Sequence, residues 1–169
     1  MDESEARRLV TTYSHLILRL SYTYLKSTYE AEDICQNVFL KYIDDNTEFL
    51  DEEHEKAWII RTTINTCKNA LKSAYRKKVI VTDNISVNTP EEDSYTEVRD
   101  AVSLLPKNYR IAIYLFYFEG YNAKEIAAAM GKSENAVTLY LSRGRRKLRE
   151  ILKDYEKGQE TYYEQSLEK

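Results

Sequence analysis

Residues Tyr121 to Arg149 read YNAKEIAAAMGKSENAVTLYLSRGRRKLR, and their spacing predicts two short helices joined by a tight turn. Asn122 stands where the first helix needs a cap, and Glu125 three residues on completes the capping-box spacing. Ile126, Ala127 and Met130 supply the apolar face. Gly131 falls at the turn, where a left-handed backbone costs glycine almost nothing. Ser133 caps the next helix, whose inward stripe is Val137 and Leu141. A small residue, a turn glycine and an inward valine at Ala127, Gly131 and Val137 make the helix-turn-helix pattern, whose second helix enters the major groove of DNA. Two packed helices with a glycine turn also occur in proteins that touch no nucleic acid, so charge decides. Arg143, Arg145, Arg146, Lys147 and Arg149 follow one another with no acid until Glu150, on a chain of net charge −3. An ordinary solvated face is the plain alternative. On an acidic chain the local excess suits phosphates better.

The net charge conceals a second basic segment. Between Asp44 and Glu55 lie seven acids and no Lys or Arg; from Lys56 to Lys78 come seven bases and no acid. The stretch from Asp83 to Asp100 is acidic again. A sequence pI near 5.6 therefore argues nothing against nucleic acid, because each half carries its own basic helix.

At 169 residues the chain fits one medium domain or two small ones. Four Gly and two Pro are few, which favours helices over a turn-rich β protein. No apolar run approaches a membrane span, and the acidic start MDESE lacks the basic region of a signal peptide. A cytoplasmic location without membrane insertion is expected. Cys35 and Cys67 fall in predicted helices and read as buried reduced thiols. With only His15 and His54 besides, no metal-ligand cluster is available and no cofactor is expected.

Apolar periodicity places a helix from Ser4 to about Lys26 with Val10, Tyr13, Leu16, Ile17 and Leu20 inward. A second runs from Glu30 to Ile43 with Ile34, Val38, Phe39 and Tyr42 inward. An acidic loop, 44–55, precedes a long helix from Lys56 to Lys78 that buries Ile59, Ile60, Ile64 and Leu71. The β-branched and then acidic stretch that follows reads as a linker, in which Val79 to Val81 can pair as a short strand. Helices resume near Tyr95 with Val98, Val102 and Leu105 apolar. Pro106 suits the first turn of the next helix, which carries Tyr109, Ile113 and Phe116. Residues from Asp154 are polar and expected to fray. The expected fold is all-α: two small helical bundles on a flexible linker, the carboxy-terminal one holding the helix-turn-helix. The boundaries are 1–78, a linker over 79–95, 96–153, and a polar tail over 154–169.

On the long helix, Asn65, Lys68, Asn69, Lys72 and Arg76 recur at i, i+3, i+4, i+7 and i+11, one polar, basic stripe. Amides can pair with base edges while cations hold phosphates. On the helix before it, Asp33, Gln36, Asn37 and Leu40 offer polar and apolar contacts along adjoining turns, suited to docking on another protein. Solvation alone is the plain reading of any one of these residues.

Four local patterns in order now make the chain resemble the extracytoplasmic-function group of bacterial RNA polymerase sigma factors, over about Tyr13 to Ile151. AEDICQNVF at Ala31 to Phe39 is similar to the family's core-polymerase-binding helix. AWIIRTTINTCKNALK at Ala57 to Lys72 resembles its helix for promoter melting and −10 recognition. LPKNYR at Leu105 to Arg110 and the helix-turn-helix resemble the region that reads the −35 element. The resemblance implies −35 contacts by Ser133, Asn135, Thr138, Leu139, Ser142, Arg143, Arg145 and Arg146, with Arg145 and Arg146 past the turns that reach the groove floor and so holding backbone. It implies −10 contacts by the stripe on the long helix. Thr47 and Phe49 stand in the loop where such factors capture a flipped base, a step that needs stacking and hydrogen bonds. Asp33, Gln36, Asn37 and Leu40 are implied to meet the β′ clamp of the polymerase core, whose β flap is implied as a further contact. Promoter DNA and an anti-sigma factor are the other implied partners; no small-molecule substrate is.

Trp58 stays open: its place beside Ile59 suits a core anchor, and an indole can also stack on a base of opened DNA. Two rival readings frame the expectation. An ordinary helix-turn-helix regulator would not need the patterns of the first half. A hydrolase would need paired carboxylates or a nucleophile with its base, and none stands out, so no enzyme activity is expected.

Overall fold

Helix α1 (Glu3–Leu25) starts where the Asp2 carboxylate accepts from the Glu5 backbone N–H at 2.8 Å, and stops at Lys26, which turns left-handed at φ 58°. The computed structural model describes residues 2–45, 47–77 and 96–167, with side chains described over 2–45, 47–73 and 98–155. The linker expected over 79–95, with its strand option at Val79 to Val81, lies outside the described residues. Those residues form seven helices, and the chain divides into two compact units, one built on α1–α3 and one on α4, α5 and α7. The all-α expectation holds.

In the first unit, α2 (Thr28–Asp44) is capped by the Ser27 hydroxyl, which accepts from the Glu30 N–H at 3.2 Å. The α1 stripe keeps Tyr13, Ile17 and Leu20 of the expected one, with Leu16 half-buried, and differs at its start. Leu9, Tyr13, Ile17, Leu20 and Tyr24 are buried, whereas Val10 is 50% exposed. A strict i, i+4, i+8 row fixes Leu9 inward, and Val10 is then rotated about 100° out of the core. Ala31, Ile34, Cys35 and Val38 of α2 meet this row, with Phe39 and Tyr42 at the margin. Both cysteines are buried free thiols; burial pushes the Cys67 thiol up to about 11.

Helix α3 (Glu52–Lys77) begins four residues before its expected start, so the acidic loop is shorter than its run of acids suggests. The Asp51 carboxylate accepts from the His54 N–H at 2.7 Å, and Glu52, Glu53 and Glu55 fill the first turn. Carboxylates there face the positive end of the helix dipole and the unpaired N–H groups, so they favour the helix rather than the loop. Ile59, Ile60, Ile64 and Cys67 close the core, with Leu71 half-buried.

In the second unit, α4 (Thr96–Ser103), α5 (Lys107–Tyr117) and α7 (Glu134–Leu167) pack on one another, and α6 (Ala123–Met130) leads into α7. Pro106 is the cap of α5 rather than its first residue. Arg110, only 6% exposed, donates to the carbonyl of Leu105 at 2.8 Å and that of Ser103 at 3.3 Å. A cation there satisfies carbonyls left open at the end of α4. Leu105 is buried as expected and Ala101 joins it, whereas Val102 is half-buried and Val98 exposed. Residues beyond Asp154, expected to fray, continue α7 to Leu167. Glu, Lys, Gln and Tyr there keep fair helix propensity, and no proline interrupts them.

Gly144 lies where α7 crosses α5. A Cβ at this position would stand 3.1 Å from Ile113 Cγ1 and 3.4 Å from Tyr109 Cβ, and Ile113 is fully buried. Overpacking of this kind costs about 1–3 kcal/mol, against about 1 kcal/mol that alanine returns in helix propensity. Gly144→Ala is therefore expected to lower stability slightly and Gly144→Val to lower it clearly, read as successive drops in the thermal midpoint. A rise with alanine would mean that Ile113 moves aside at little cost.

Candidate nucleic-acid interface

The turn before α7 is built as its residues dictate. The Asn122 N–H donates to Glu125 at 2.8 Å and the Glu125 N–H donates back to Asn122 Oδ1 at 3.0 Å, a complete capping box. Gly131 takes φ 65°, and the Ser133 hydroxyl accepts from the Ala136 N–H at 3.2 Å. This sets the start and rotation of α7. Val137 and Leu141 turn inward, and Gly144 allows the close approach to α5. Asn135, Thr138, Leu139, Ser142, Arg143 and Arg146 then form one exposed stripe on the opposite side. The Thr138 hydroxyl returns to the Glu134 carbonyl at 3.0 Å, leaving its methyl outward, next to half-exposed Leu139.

Arg145 differs from its neighbours. Its Nε donates to the Tyr117 hydroxyl at 2.9 Å, and its guanidinium lies 5.2 Å from the Phe116 ring centroid and 5.8 Å from that of Tyr117. Hydrogen bonding and cation–π attraction hold it against α5. The structure therefore brings Arg143 and Arg146 together on the outer stripe and draws Arg145 to its edge.

On α3, Asn65, Asn69 and Lys72 are exposed along one face and Lys68 is half-buried beside them; the Arg76 side chain lies outside the described residues. Trp58 and Arg61 extend the same face toward the helix start. The core-anchor option for Trp58 does not hold. One residue before Ile59 is a rotation of about 100°, which takes the indole out of the core.

Trp58 instead belongs to an aromatic cluster under the loop that joins α2 to α3. Its Nε1 donates to Asp45 Oδ2 at 3.0 Å. Its ring meets Tyr42 edge-on at 5.6 Å and Phe49 at 6.0 Å, while Phe49 stacks on Tyr42 at 5.4 Å. The Thr47 N–H and hydroxyl both donate to Asp45 Oδ1. These bonds, and then the one from Trp58, hold the Asp45 carboxyl below the usual range. Lys41, Asp44, Asp45, Thr47, Trp58 and Thr62 line an open recess at this place. Of the two loop residues expected to meet a base, Thr47 reaches the recess, while Phe49 supports the cluster beside it.

Glu55, read from sequence as a loop residue, is the group missed altogether. It is 5% exposed and accepts from Arg8 Nη1 at 3.0 Å, Arg8 Nη2 at 2.8 Å, the Tyr13 hydroxyl at 2.8 Å and the Tyr42 hydroxyl. The Arg8 bonds foremost lower its pKa from 4.5 to about 2, against the opposing effect of burial. A usable signal existed: an Asp51 cap puts Glu55 one turn before Ile59, on the inward face, where a carboxylate requires partners.

Helix α2 presents Asp33, Gln36, Asn37 and Leu40 on one exposed face, Leu40 at 57% exposure. Tyr29 and Ile43, which the sequence reading passed over, extend it with exposed apolar area. Three such residues on one helix face are more than scattered surface apolars.

The model for sigma-70 region 2 matches residues 9–77, and that for sigma-70 region 4 matches residues 95–148. The chain is 30% identical over 128 residues to RNA polymerase sigma factor SigZ of Bacillus subtilis, covering 72% of each chain. It is 28% identical to SigV of the same organism, over 83% of this chain and 86% of that one. The structure of sigma factor RpoE of Bartonella quintana, solved with the anti-sigma factor NepR, matches with a TM-score of 0.72 at 20% identity, over 88% of this chain and 97% of that one. CnrH, solved with the cytosolic domain of CnrY, matches with a TM-score of 0.59 at 18% identity, over 90% of each chain. The fold and both regions are those of a sigma factor. This chain belongs to the sigma-70 family, in its extracytoplasmic-function group, and its role lies in promoter-directed initiation of transcription.

Proposed function

We propose that this chain binds RNA polymerase core, docks on the −35 element through the stripe on α7, and opens the −10 element with the face of α3 and the adjoining loop. The observation that carries the reading is the pair of exposed polar and basic helical faces, one in each unit, each within the span of a different sigma region model. Residues 1–78 form the core-binding and −10 half, 79–95 the connection, 96–153 the −35 half, and 154–169 a polar carboxy-terminal extension.

On α7, Arg143 reaches a base edge or phosphate and Arg146 holds backbone, with Asn135, Thr138, Leu139 and Ser142 filling the groove between them. Ser133 acts first as a cap, and Arg145 contributes only if DNA outcompetes Tyr117. On α3, Asn65 and Asn69 offer amides to bases while Lys68 and Lys72 neutralise phosphate. Thr47 lines the recess for an extruded base, at a loop that Phe49 supports. Asp33, Gln36, Asn37 and Leu40, extended by Tyr29 and Ile43, form the docking face for the clamp of the β′ subunit. The chain supplies binding energy and position, while bond chemistry stays with the polymerase. RpoE and CnrH were each solved with a partner protein, which supports an anti-sigma factor as the off-switch here as well.

The test is reconstitution. Purified chain and core polymerase are expected to co-elute and together to start transcripts that neither starts alone; sequencing the 5′ ends then gives the promoter elements. No co-elution and no new transcripts would remove the reading in favour of an ordinary helix-turn-helix regulator.

A further inference from the structure

The contacts around Glu55 point beyond stability. Glu55 is fixed from α1 by Arg8 and Tyr13, and its fourth hydrogen bond comes from Tyr42, near the end of α2. The Tyr42 ring does not end there. One face stacks on Phe49 with an interplanar angle of 20°, and Trp58 meets the same ring at 89°. Phe49 is also met edge-on by His54 at 5.5 Å, and the Leu50 N–H donates to His54 Nδ1 at 3.3 Å. Trp58 in turn holds Asp45, and Asp45 holds Thr47. A continuous chain of contacts thus runs from a buried carboxylate to each described side of the loop between α2 and α3.

We infer that Glu55, acting through the Tyr42 hydroxyl, is a positioning device that fixes the Phe49–Trp58 cluster and so presets the recess of Lys41, Asp45, Thr47 and Trp58 before DNA arrives. This rests on the −10 role proposed above for that recess. A stacking ring with one hydroxyl anchored in the core loses the freedom to swing, and a preset site forgoes the ordering cost that a loose loop would incur on binding. Tyr42 and Glu55 touch no DNA in this account. They act by where they place Phe49, Trp58 and Thr47.

Tyr42→Phe isolates the effect, because it keeps the ring and removes only the anchored hydroxyl. Trp58 is the only tryptophan of the chain, so its fluorescence reports on this cluster alone in the free protein. The variant is expected to shift Trp58 emission to the red and raise its quenching by acrylamide. In holoenzyme on a promoter mapped by 5′-end sequencing, permanganate reactivity at −10 is expected to fall about tenfold, the order of one lost hydrogen bond. Core affinity and −35-dependent closed-complex formation stay at the wild-type level. Rescue is expected on a template already mismatched at −10 if the recess is only harder to fill, whereas a fold defect would depress core affinity as well. Normal opening by Tyr42→Phe, or a loss of opening no greater than its loss of core affinity, overturns the positioning role and leaves the −10 reading intact. Failure of the wild-type chain to open any promoter with core would remove both. Because Glu55→Gln can perturb folding more broadly, it serves as the second variant: at matched thermal midpoint it must reproduce the Trp58 shift of Tyr42→Phe, and an unshifted emission overturns the link between Glu55 and the loop.

Discussion

Glu55→Ala is expected to be the most damaging single substitution in the amino-terminal unit. It leaves the Tyr13 and Tyr42 hydroxyls without their acceptor and the Arg8 guanidinium without its bidentate partner. Each phenol hydroxyl left buried without its acceptor costs about 1–3 kcal/mol, whereas the freed Arg8 guanidinium, on a side chain 46% exposed, can turn to water. Small domains hold only about 5–15 kcal/mol in total, so the unit would stand near its unfolding limit. Urea denaturation followed by Trp58 fluorescence reads this directly. Arg8→Ala is expected to cost less, since the Arg8 side chain is 46% exposed and its removal leaves the carboxylate two phenol donors. A Glu55→Ala loss below about 1 kcal/mol would mean that water enters and replaces the donors.

The same carboxylate gives the unit an acid limit. The folded-state pKa of Glu55 lies at about 2, below its ordinary 4.5. A group lowered on folding contributes its full stability above the unfolded value and loses it as protons bind. The contribution is therefore complete above about pH 4.5 and disappears as pH falls through about 2. Its size is about 3 kcal/mol, since each pKa unit is about 1.4 kcal/mol. The wild-type urea midpoint should fall across that window. The slope should flatten in Glu55→Gln, which has no proton to take up there.

What the sequence disclosed and what it hid divide along contact range. The helix-turn-helix was legible because its parts are local: Asn122 and Glu125 cap each other three residues apart, and Gly131 needs its left-handed turn whatever surrounds it. The polar stripe of α3 was legible from period alone. The start of α3 was not, because a run of acids reads as loop until one notes that Asp51 caps and the next carboxylates favour a helix N-terminus. Glu55 was hidden by distance, since Arg8 lies 47 positions away in the chain. Gly144 read as one more residue of a basic run, and its reason lies on α5. Trp58 was ambiguous because adjacent residues on a helix point about 100° apart, so proximity to Ile59 says little about burial.

The two helices proposed to face DNA should fail differently when each is cut back by one side chain. Arg143→Ala removes a fully outward cation from the middle of the α7 stripe, and −35-dependent binding by holoenzyme is expected to weaken about 10- to 100-fold, the range for a lost base-edge contact of about 1–3 kcal/mol. If Arg143 meets phosphate instead, the loss is similar across sequences and the salt slope drops by about one. Asn69→Ala leaves that duplex binding unchanged and reduces opening at −10, because its amide lies on α3. Closed-complex formation by gel shift and opening by permanganate separate the two, and equal loss of closed complex in both would contradict the division. Arg145 sharpens the comparison. Its guanidinium is already committed to Tyr117 and Phe116, so any contact with DNA must first break that hydrogen bond and leave those rings. Arg145→Ala should therefore weaken −35 binding less than Arg143→Ala, yet lower the thermal midpoint of the carboxy-terminal unit more, although the two arginines sit two residues apart in one basic run.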